Sequence, residues 1–371
     1  MLNGNILDSY PDYKKNVMVT WISNHGKPKK IVDTYQPSFY VYSNREDLIT
    51  LATILRDKPM VDKLNFTFEK INLGKNKKKF VLEVFPKKLE FLRKLAEKID
   101  YWGGYHKYQL FNVDIRLSTR YLQDKGVFFN ADVKWDGKKF LLNDKQWAID
   151  YKKPEYKYIT FEINPGLKKK ILSFEKPIKL IKIGKTKISE KSEIDTIILA
   201  VKKLKNIDSD ILFVKKGDSF VFPYIYHRAK INNIEKSLTF GRDQKTSLIP
   251  IKQAKSYFSY GHIVHRPAFY TLKGRIHLDT YNSFIYGESG IFGLIDMSRC
   301  SNISLQVLSR VGPGTAISQI QVNKAREKGY LIPWKKNMPE SWKTMMDLLV
   351  SDRGGLILDP VVGLHEDIFE L

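Results

Sequence analysis

The chain has 371 residues, a formal net charge of +23 and a sequence pI near 9.6. Hydrophobic residues make up 43% of the sequence and aromatic residues 13%, which excludes a disordered protein and allows two or more domains with hydrophobic cores. The single cysteine, Cys300, excludes an internal disulfide framework and a cysteine-rich zinc site.

The charge balance predicts a polyanionic partner, and nucleic acid is the most common one; a basic proteome or a solubility effect is the alternative. Lysine outnumbers arginine, which favours contact with phosphates over bidentate reading of base edges. No basic N-terminal region precedes an apolar stretch, and no window reaches the roughly 20 apolar residues of a membrane span. We therefore expect a cytoplasmic protein with no membrane partner.

The first part of the chain predicts a mixed α+β domain. Alternating apolar residues and apolar spacings of three and four predict strands at 17–23, 31–42 and 80–85, and helices at 46–56 and 89–99. Between them, the basic run at 75–79 is either a solvated hairpin tip or a phosphate contact.

The second part predicts a covered sheet with helices. The pattern indicates a strand at 156–164, a strand region at 178–188, a helix at 189–204 capped by Ser189 or Ser192, and a strand at 211–214. A lysine-rich turn at 215–218 then leads to an aromatic helix at 220–229. A strand that ends in a loop opening a helix is where an open α/β sheet presents its functional groups.

Several segments resemble family B DNA polymerases, especially the archaeal ones. The stretch at 208–222 is similar to the second exonuclease motif of that family, and it keeps Gly217 and Asp218 together with Phe220 and Phe222. Other similar segments are 111–126, 238–243, 274–281 (Gly-Arg-Ile-His-Leu-Asp-Thr-Tyr), 308–315 and 353–364.

The resemblance implies an α+β N-terminal domain at 1–130 and an RNase H-like α/β domain with a mixed sheet, exonuclease-like, at 150–296. It implies that the segment 297–371 returns to the N-terminal domain and leads to a palm that this sequence does not contain.

The family's metal-binding acids are eroded in this chain. Two acids that are two residues apart on a strand point to the same face and can coordinate one metal ion. In this chain, Glu162 and Asn164 occupy those positions. Val221 replaces the acid of the second motif. The third motif is expected to be deleted, because Asp296 follows Phe292 at the right spacing but without the family's tyrosine or a preceding helical run.

We therefore expect an inactive exonuclease domain that has no catalytic residues. Glu162 is the one candidate metal ligand, and Mg²⁺ would be needed only for residual nuclease activity, so no cofactor is expected. Rescue of the metal site by Asp218 or Asp279 is an alternative, although the family uses both positions structurally.

The implied function is to position template–primer DNA for a polymerase core on another chain, as part of a DNA-directed DNA polymerase in DNA replication. The residues predicted to contact nucleic acid are basic: Lys215, Lys216, Arg242, Lys252, Lys255, Arg310 and Arg353. The alternatives are an active 3′–5′ exonuclease with substituted metal ligands and a stand-alone regulatory DNA-binding protein.

Two further patterns stay open. His262 and His265 could ligate a metal if they lay on a helix, or they could serve a surface or packing role. The basic and aromatic residues at 252–260 suit either a single-stranded nucleic-acid surface or core packing.

Overall fold

The computed structural model describes residues 2–72, 76–164, 174–243, 254–259, 261–266, 268–334, 344–351, 362–364 and 366. Residues 1–334 form one compact unit and residues 335–371 a second one. In the second unit, the helix Met345–Ser351 begins after Thr344, whose hydroxyl accepts a hydrogen bond from the Asp347 amide at 3.2 Å. No helix among the described residues is long and apolar enough to cross a membrane.

The N-terminal part of the first unit contains two antiparallel sheets and three helices. Its strands are β1 (Leu2–Asp12), β2 (Val17–Asn24), β3 (Lys27–Asp33), β4 (Phe39–Tyr42), β5 (Val61–Glu69), β6 (Lys79–Pro86), β7 (Gln109–Phe111), β8 (Asp132–Trp135) and β9 (Phe140–Leu142). Its helices are α1 (Arg45–Arg56), α2 (Phe91–Trp102) and α3 (Leu117–Asp124). The strand orders are β3-β2-β1-β8-β9 and β5-β6-β4-β7.

Helix α1 shows how local sequence sets an element. Asn44 caps it by accepting a hydrogen bond from the Asp47 amide at 2.8 Å. Acidic residues in the first turn interact favourably with the positive end of the helix dipole. Leu48, Leu51 and Leu55 form its buried face against the four-stranded sheet. The helix predicted at 46–56 is therefore confirmed.

Strand β1 is the centre of the first sheet, although its sequence is polar and contains a glycine and a proline. Ile6 and Leu7 are both fully buried because the sheet is covered on both faces. Gly4 has φ +147°, and a Cβ there would lie 2.4 Å from the carbonyl oxygen of Ser23 on β2. Glycine is therefore required for the close approach of these two strands.

The second part of the unit is built on a mixed sheet. Its strands are β10 (Tyr158–Asn164), β11 (Leu180–Ile183), β12 (Thr186–Ile188), β13 (Ile211–Val214), a separate hairpin of β14 (Lys255–Ser259) and β15 (His262–Arg266), and β16 (Ile276–Asp279). The sheet order is β12-β11-β10-β13-β16, with β10, β13 and β16 parallel and β11 antiparallel to both neighbours. An α+β N-terminal part followed by an RNase H-like mixed sheet confirms the predicted fold class.

Helices cover both faces of this sheet. They are α4 (Glu193–Ile207), α5 (Phe222–Ile231), α6 (Phe284–Ser301), α7 (Leu305–Leu308) and α8 (Pro313–Glu327), with a π-helical segment at Gly217–Val221 and a 3-10 turn at Glu235–Ser237. In α4, Ser192 is the N-cap and accepts a hydrogen bond from the Ile194 amide at 3.1 Å. Of the two predicted caps, Ser192 is therefore the correct one.

Helix α6 corrects one sequence-based expectation. The sequence predicted no helical run before Phe292, yet residues 284–289 are helical. Gly290, with a non-helical φ of 63° and ψ of −164°, separates them from the helical residues that include Phe292 and Asp296. Ser283 caps the helix through the Tyr286 amide at 3.3 Å, and buried Leu294 and Ile295 hold it against the core. Glycine adopts this positive φ without strain, which allows the kink between the two helical segments.

Residues after α6 make hydrogen bonds back to the N-terminal part. Arg326 on α8 pairs with Asp124 on α3 at 2.7 Å, and the Trp334 amide donates to the Leu110 carbonyl at 2.8 Å. The individual domain boundaries at 130, 150, 296 and 297 stay predictions.

Asp8 on β1 connects the first sheet to the mixed sheet. Its Oδ2 accepts a hydrogen bond from the Gly274 amide at 2.9 Å, just before β16. Burial raises the pKa of Asp8 to about 7, although the Gly274 and Ser9 amides and the charges of Lys273 and Arg242 oppose the rise. Between about pH 4 and pH 7, the Asp8 carboxyl is therefore protonated in the folded protein but ionised in the unfolded chain.

The substitution Asp8→Asn is expected to change the pH dependence of stability. Because the folded-state pKa is raised, this carboxyl costs no stability below about pH 4, and the cost grows between about pH 4 and 7 to at most about 4 kcal/mol. Asparagine keeps the acceptor for Gly274 without the charge. In urea unfolding, the free energy of unfolding of the variant should increase relative to that of the native chain as the pH rises from about 4 to 7. A difference that did not change with pH would contradict the raised pKa of Asp8.

Candidate functional site

The carboxyl ends of the three parallel strands meet at one edge of the mixed sheet. Asn164 ends β10, Lys215 follows β13 and Asp279 ends β16. In open α/β sheets, ligands bind at this edge.

Strand β10 places the first pair of predicted metal positions on its exposed face. Phe161 and Ile163 are buried in the core, while Glu162 and Asn164 alternate with them and are exposed. Glu162 lies opposite Lys182 on β11, so the carboxylate has an oppositely charged cross-strand neighbour. A single carboxylate therefore remains on this face of β10.

The third predicted metal position has no ligand atom. Val221 ends the π-helical segment, is 3% exposed and belongs to the hydrophobic core together with Phe222 and Ile225. The Val221 side chain therefore packs in the hydrophobic core and offers no oxygen atom to a metal ion.

The fourth position, Asp296, lies on the exposed side of α6, one turn after Phe292. Its carboxylate accepts a hydrogen bond from the Tyr151 hydroxyl. Burial and this carboxylate together raise the pKa of Tyr151 well above its ordinary value, so the phenol stays a donor. Lys153 lies over the Phe292 ring, 4.4 Å from its centroid. These contacts join Asp296 to the segment before β10.

The four positions do not fit a pair of Mg²⁺ ions. Two-metal nuclease chemistry needs several carboxylates around ions about 4 Å apart, and these positions supply only Glu162 and Asp296. Within the described ranges, no group of three or more His, Cys, Asp or Glu side chains is arranged to hold a metal ion.

Asp218, one alternative metal ligand, is a structural residue in this fold. It is 2% exposed, and its Oδ2 accepts a hydrogen bond from Arg310 Nε at 2.5 Å. Its Oδ1 accepts from the Tyr270 amide at 3.0 Å. The other alternative, Asp279, is 1% exposed and accepts from the Asp218 amide at 2.9 Å. Both carboxylates are therefore engaged inside the protein.

His277 on β16 completes this buried network. Arg310 Nη2 lies 2.6 Å from His277 Nδ1, and burial followed by the Arg310 charge lowers the pKa of His277 well below its ordinary value. The imidazole is consequently neutral. A Cβ on Gly217 would lie 2.4 Å from His277 Nε2, which explains why glycine stands after the Lys216 turn. Sequence reasoning matched each of these segments to the family but did not foresee that they join in one network.

Two arginines predicted to contact DNA are bound within the fold instead. The Arg242 side chain is 6% exposed and pairs with Asp208 at 2.7 Å and Asp210 at 3.0 Å. The Arg310 side chain is 8% exposed and pairs with Asp218. Each guanidinium is thus mostly buried and paired with at least one buried carboxylate, Asp210 for Arg242 and Asp218 for Arg310.

Lys215 and Lys216, in contrast, are exposed at the carboxyl edge of the sheet. Lys216 adopts a left-handed conformation (φ 57°), and its Nζ lies 4.7 Å from the centroid of the Tyr281 ring. Tyr281 follows β16 and is 62% exposed. We call these three residues the lysine–tyrosine edge. An exposed aromatic ring beside the Lys216 cation, with the exposed Lys215 adjacent in the chain, suits contact with nucleic acid.

The other residues predicted to contact nucleic acid do not lie at the lysine–tyrosine edge. Lys255 is exposed on β14, whereas Lys252 and Arg353 lie outside the described residues. The β14–β15 hairpin places Phe258 opposite Ile263, 75% and 79% exposed, which agrees with a surface role and not with core packing. His262 and His265 belong to strand β15 and not to a helix, so the helical spacing on which a pair of metal ligands depended is not present.

Comparison with known proteins agrees with this geometry. Residues 150–285 match the family model described as DNA polymerase family B, exonuclease domain. A comparison with curated protein sequences gave no match.

Among solved structures, the chain is similar to the family B DNA polymerase from the hyperthermophilic archaeon Pyrobaculum calidifontis, with a TM-score of 0.65 and 17% sequence identity. The match covers 92% of this chain and 52% of that one, so the chain spans about half the length of that polymerase. Residues 150–285 are therefore similar to the exonuclease domain of family B DNA polymerases, and the chain shares its fold with about half of an archaeal polymerase of that family.

Proposed function

We propose that this chain binds template–primer DNA beside a polymerase core supplied by another polypeptide, and that it does not itself degrade DNA. The observation that carries the proposal is the replacement of a metal-binding acid by Val221, which is buried in the core of an otherwise retained exonuclease fold. A scaffold that keeps its sheet while losing its metal ligands supports a binding role.

The charge distribution supports DNA as the ligand. The net charge of +23 favours contact with a polyanion, and the lysine–tyrosine edge puts cations and a ring where the parallel strands end. Lysine contributes to affinity through phosphates without reading sequence, so binding is expected to be largely independent of sequence.

Neutralising the edge is the direct test of DNA binding. The double substitution Lys215→Gln/Lys216→Gln should weaken binding to a primer–template duplex and reduce the slope of log K against log salt by about 1.8, because each lost phosphate contact removes about 0.9. Fluorescence anisotropy over a salt series measures both quantities.

The matched control removes two exposed lysines from α4, Lys202→Gln/Lys203→Gln, with the same change in net charge. If the two double variants lowered affinity and slope equally, binding would depend on overall charge and the edge would not be the contact site.

An active 3′–5′ exonuclease is the second candidate, favoured by the exposed Glu162 and by the family model. Labelled single-stranded DNA incubated with Mg²⁺ or Mn²⁺ is expected to remain intact with the native chain. Degradation that Glu162→Ala abolished would establish the exonuclease instead. Degradation that survived Glu162→Ala would point to a contaminating nuclease.

The partner chain is tested separately. Affinity purification of the tagged chain from its own cells should recover a polypeptide with the palm, fingers and thumb of a family B polymerase. Recovery of DNA without such a polypeptide would favour the stand-alone regulatory protein.

A further inference from the structure

Helix α2 presents a face that the exonuclease-like site does not use. One side of the helix, with Leu92, Leu95 and Ile99, is buried against the four-stranded sheet. The other side continues past the end of the helix, and we call it the α2 aromatic surface; it consists of Phe91, Lys94, Lys98, Tyr101, Trp102 and Tyr105.

The rings at the end of α2 are unusually exposed for their size. Tyr101 is 66% exposed, Trp102 42% and Tyr105 64%. The Tyr101 and Tyr105 rings meet edge to face with centroids 6.1 Å apart, so the two form a small aromatic platform. Rings of this kind offer faces on which other flat groups can stack.

Tyr105 is held in this platform by a backbone conformation that tyrosine disfavours. Its φ is 65°, directly after Gly104 with φ 60°, and its amide donates to the Asp100 carbonyl at 2.9 Å. Bulky residues rarely adopt the left-handed region, and glycine would adopt it without strain. Residues in sparsely populated backbone conformations of this kind cluster at binding sites.

The charge around the rings is positive. Lys58 Nζ lies 5.9 Å from the centroid of the Trp102 ring, and Lys98 Nζ lies 3.7 Å from the Met60 sulfur. Within the described chain, neither lysine has a carboxylate at ion-pair distance. The carboxylates of the same helix face are already paired, Glu97 with Arg93 at 2.8 Å and Glu90 with Lys94 at 3.5 Å.

Four members of this surface, Phe91, Lys94, Lys98 and Tyr101, line an open groove of about 530 Å³ together with Met60 and Glu97. The helix extends about 18 Å along it, long enough for several nucleotides. We propose that the α2 aromatic surface binds single-stranded DNA, with bases stacked on Tyr101, Trp102 and Tyr105 and phosphates near Lys58, Lys94 and Lys98. A protein partner fits less well, because the centres of protein interfaces are depleted of lysine.

This surface is separate from the lysine–tyrosine edge, and the choice of DNA over RNA rests on the proposed function. Aromatic platforms with a basic track bind single strands with little sequence preference, since every base has a stacking face. The chain would then hold an unpaired strand on its N-terminal part independently of the duplex contact.

The test uses the full chain and a labelled oligothymidylate. Tyr101→Ala and Trp102→Ala should each raise Kd at least about fivefold, because a base–aromatic stack contributes at least that much. Trp102→Phe should keep the affinity but lose the quenching of tryptophan fluorescence on DNA binding. Lys94→Gln/Lys98→Gln should reduce the salt slope by about 1.4, with about 0.7 per contact on single strands.

The variant Tyr105→Gly distinguishes an effect on DNA binding from an effect on the stability of the fold. Glycine relaxes the left-handed residue, so the melting temperature should stay the same or rise while Kd for oligothymidylate increases. Tyr13→Ala, which removes a tyrosine 49% exposed in the β1–β2 turn, is the matched control and should leave Kd unchanged.

Unchanged affinity in Tyr101→Ala, Trp102→Ala and Tyr105→Gly would overturn the proposal, and so would tighter binding of a matched RNA or of duplex DNA to this surface. Failure of single-strand binding at the α2 aromatic surface can be distinguished from failure of duplex binding at the lysine–tyrosine edge, because different variants test them. Lys215→Gln/Lys216→Gln tests the duplex contact, and this set tests the single-strand contact.

Discussion

Replacing Asp218 with alanine is expected to lower the free energy of unfolding by about 3–5 kcal/mol, because it leaves the buried Arg310 charge without its partner. The Arg310 side chain is 8% exposed, and its Nε lies 2.5 Å from Asp218 Oδ2. The substitution also removes the acceptor of the Tyr270 amide, so a second buried donor is left unsatisfied. Urea unfolding of the full chain measures the loss.

The control is an ion pair of similar length on the surface. Asp47 and Lys107 are 2.7 Å apart with side chains 24% and 42% exposed, so loss of this solvent-screened pair in Asp47→Ala should lower stability far less than Asp218→Ala does. The double variant Asp218→Leu/Arg310→Met should recover part of the loss, since it leaves no buried charge. Equal losses in Asp218→Ala and Asp47→Ala would show that the network around Asp218 is not structural.

Restoring the family's acid by Val221→Asp is expected to destabilise the protein by about 3–5 kcal/mol and to give no nuclease activity. Val221 is 3% exposed and belongs to a cluster of apolar residues in the core. The new carboxylate would be buried without a partner, so its pKa would rise and stability would improve as pH falls.

Val221→Asn is the matched control, because asparagine has nearly the same shape without the charge. The difference between the two variants should be large at neutral pH and should vanish at low pH, where the carboxylate is protonated. Stabilisation of Val221→Asp by Mn²⁺, together with degradation of single-stranded DNA, would show that a metal site can still assemble beside Glu162.

Local sequence was sufficient for elements whose own residues decide their conformation. Helix α4 has the N-cap Ser192 and an apolar face of Ile197, Val201 and Leu204, and it lies where the pattern predicted it. The strand Ile211–Val214 was likewise predicted, because a continuous apolar run between turn residues is typical of a buried parallel strand.

Other elements depend on partners that are distant in sequence. Strand β1 has no clear alternation, and it forms because β2 and β8 pair with it and two cores cover its faces. Helix α6 contains several glycines and is maintained by packing of Leu294 and Ile295. The β14–β15 hairpin was not predicted, since its cross-strand pairs lie outside any helical or buried pattern.

By itself, the sequence determined the fold class and the basic charge, because these are properties of residue type and local pattern. It also predicted, by resemblance to the family, that Val221 stands where a metal-binding acid is expected. Only the tertiary structure decided that Arg242 and Arg310 belong to buried networks while Lys216 lies exposed beside Tyr281. The physical reason is that whether a cation binds DNA or a buried carboxylate depends on which side chains surround it. In this fold those neighbours come from segments as far apart as Asp218 and Arg310.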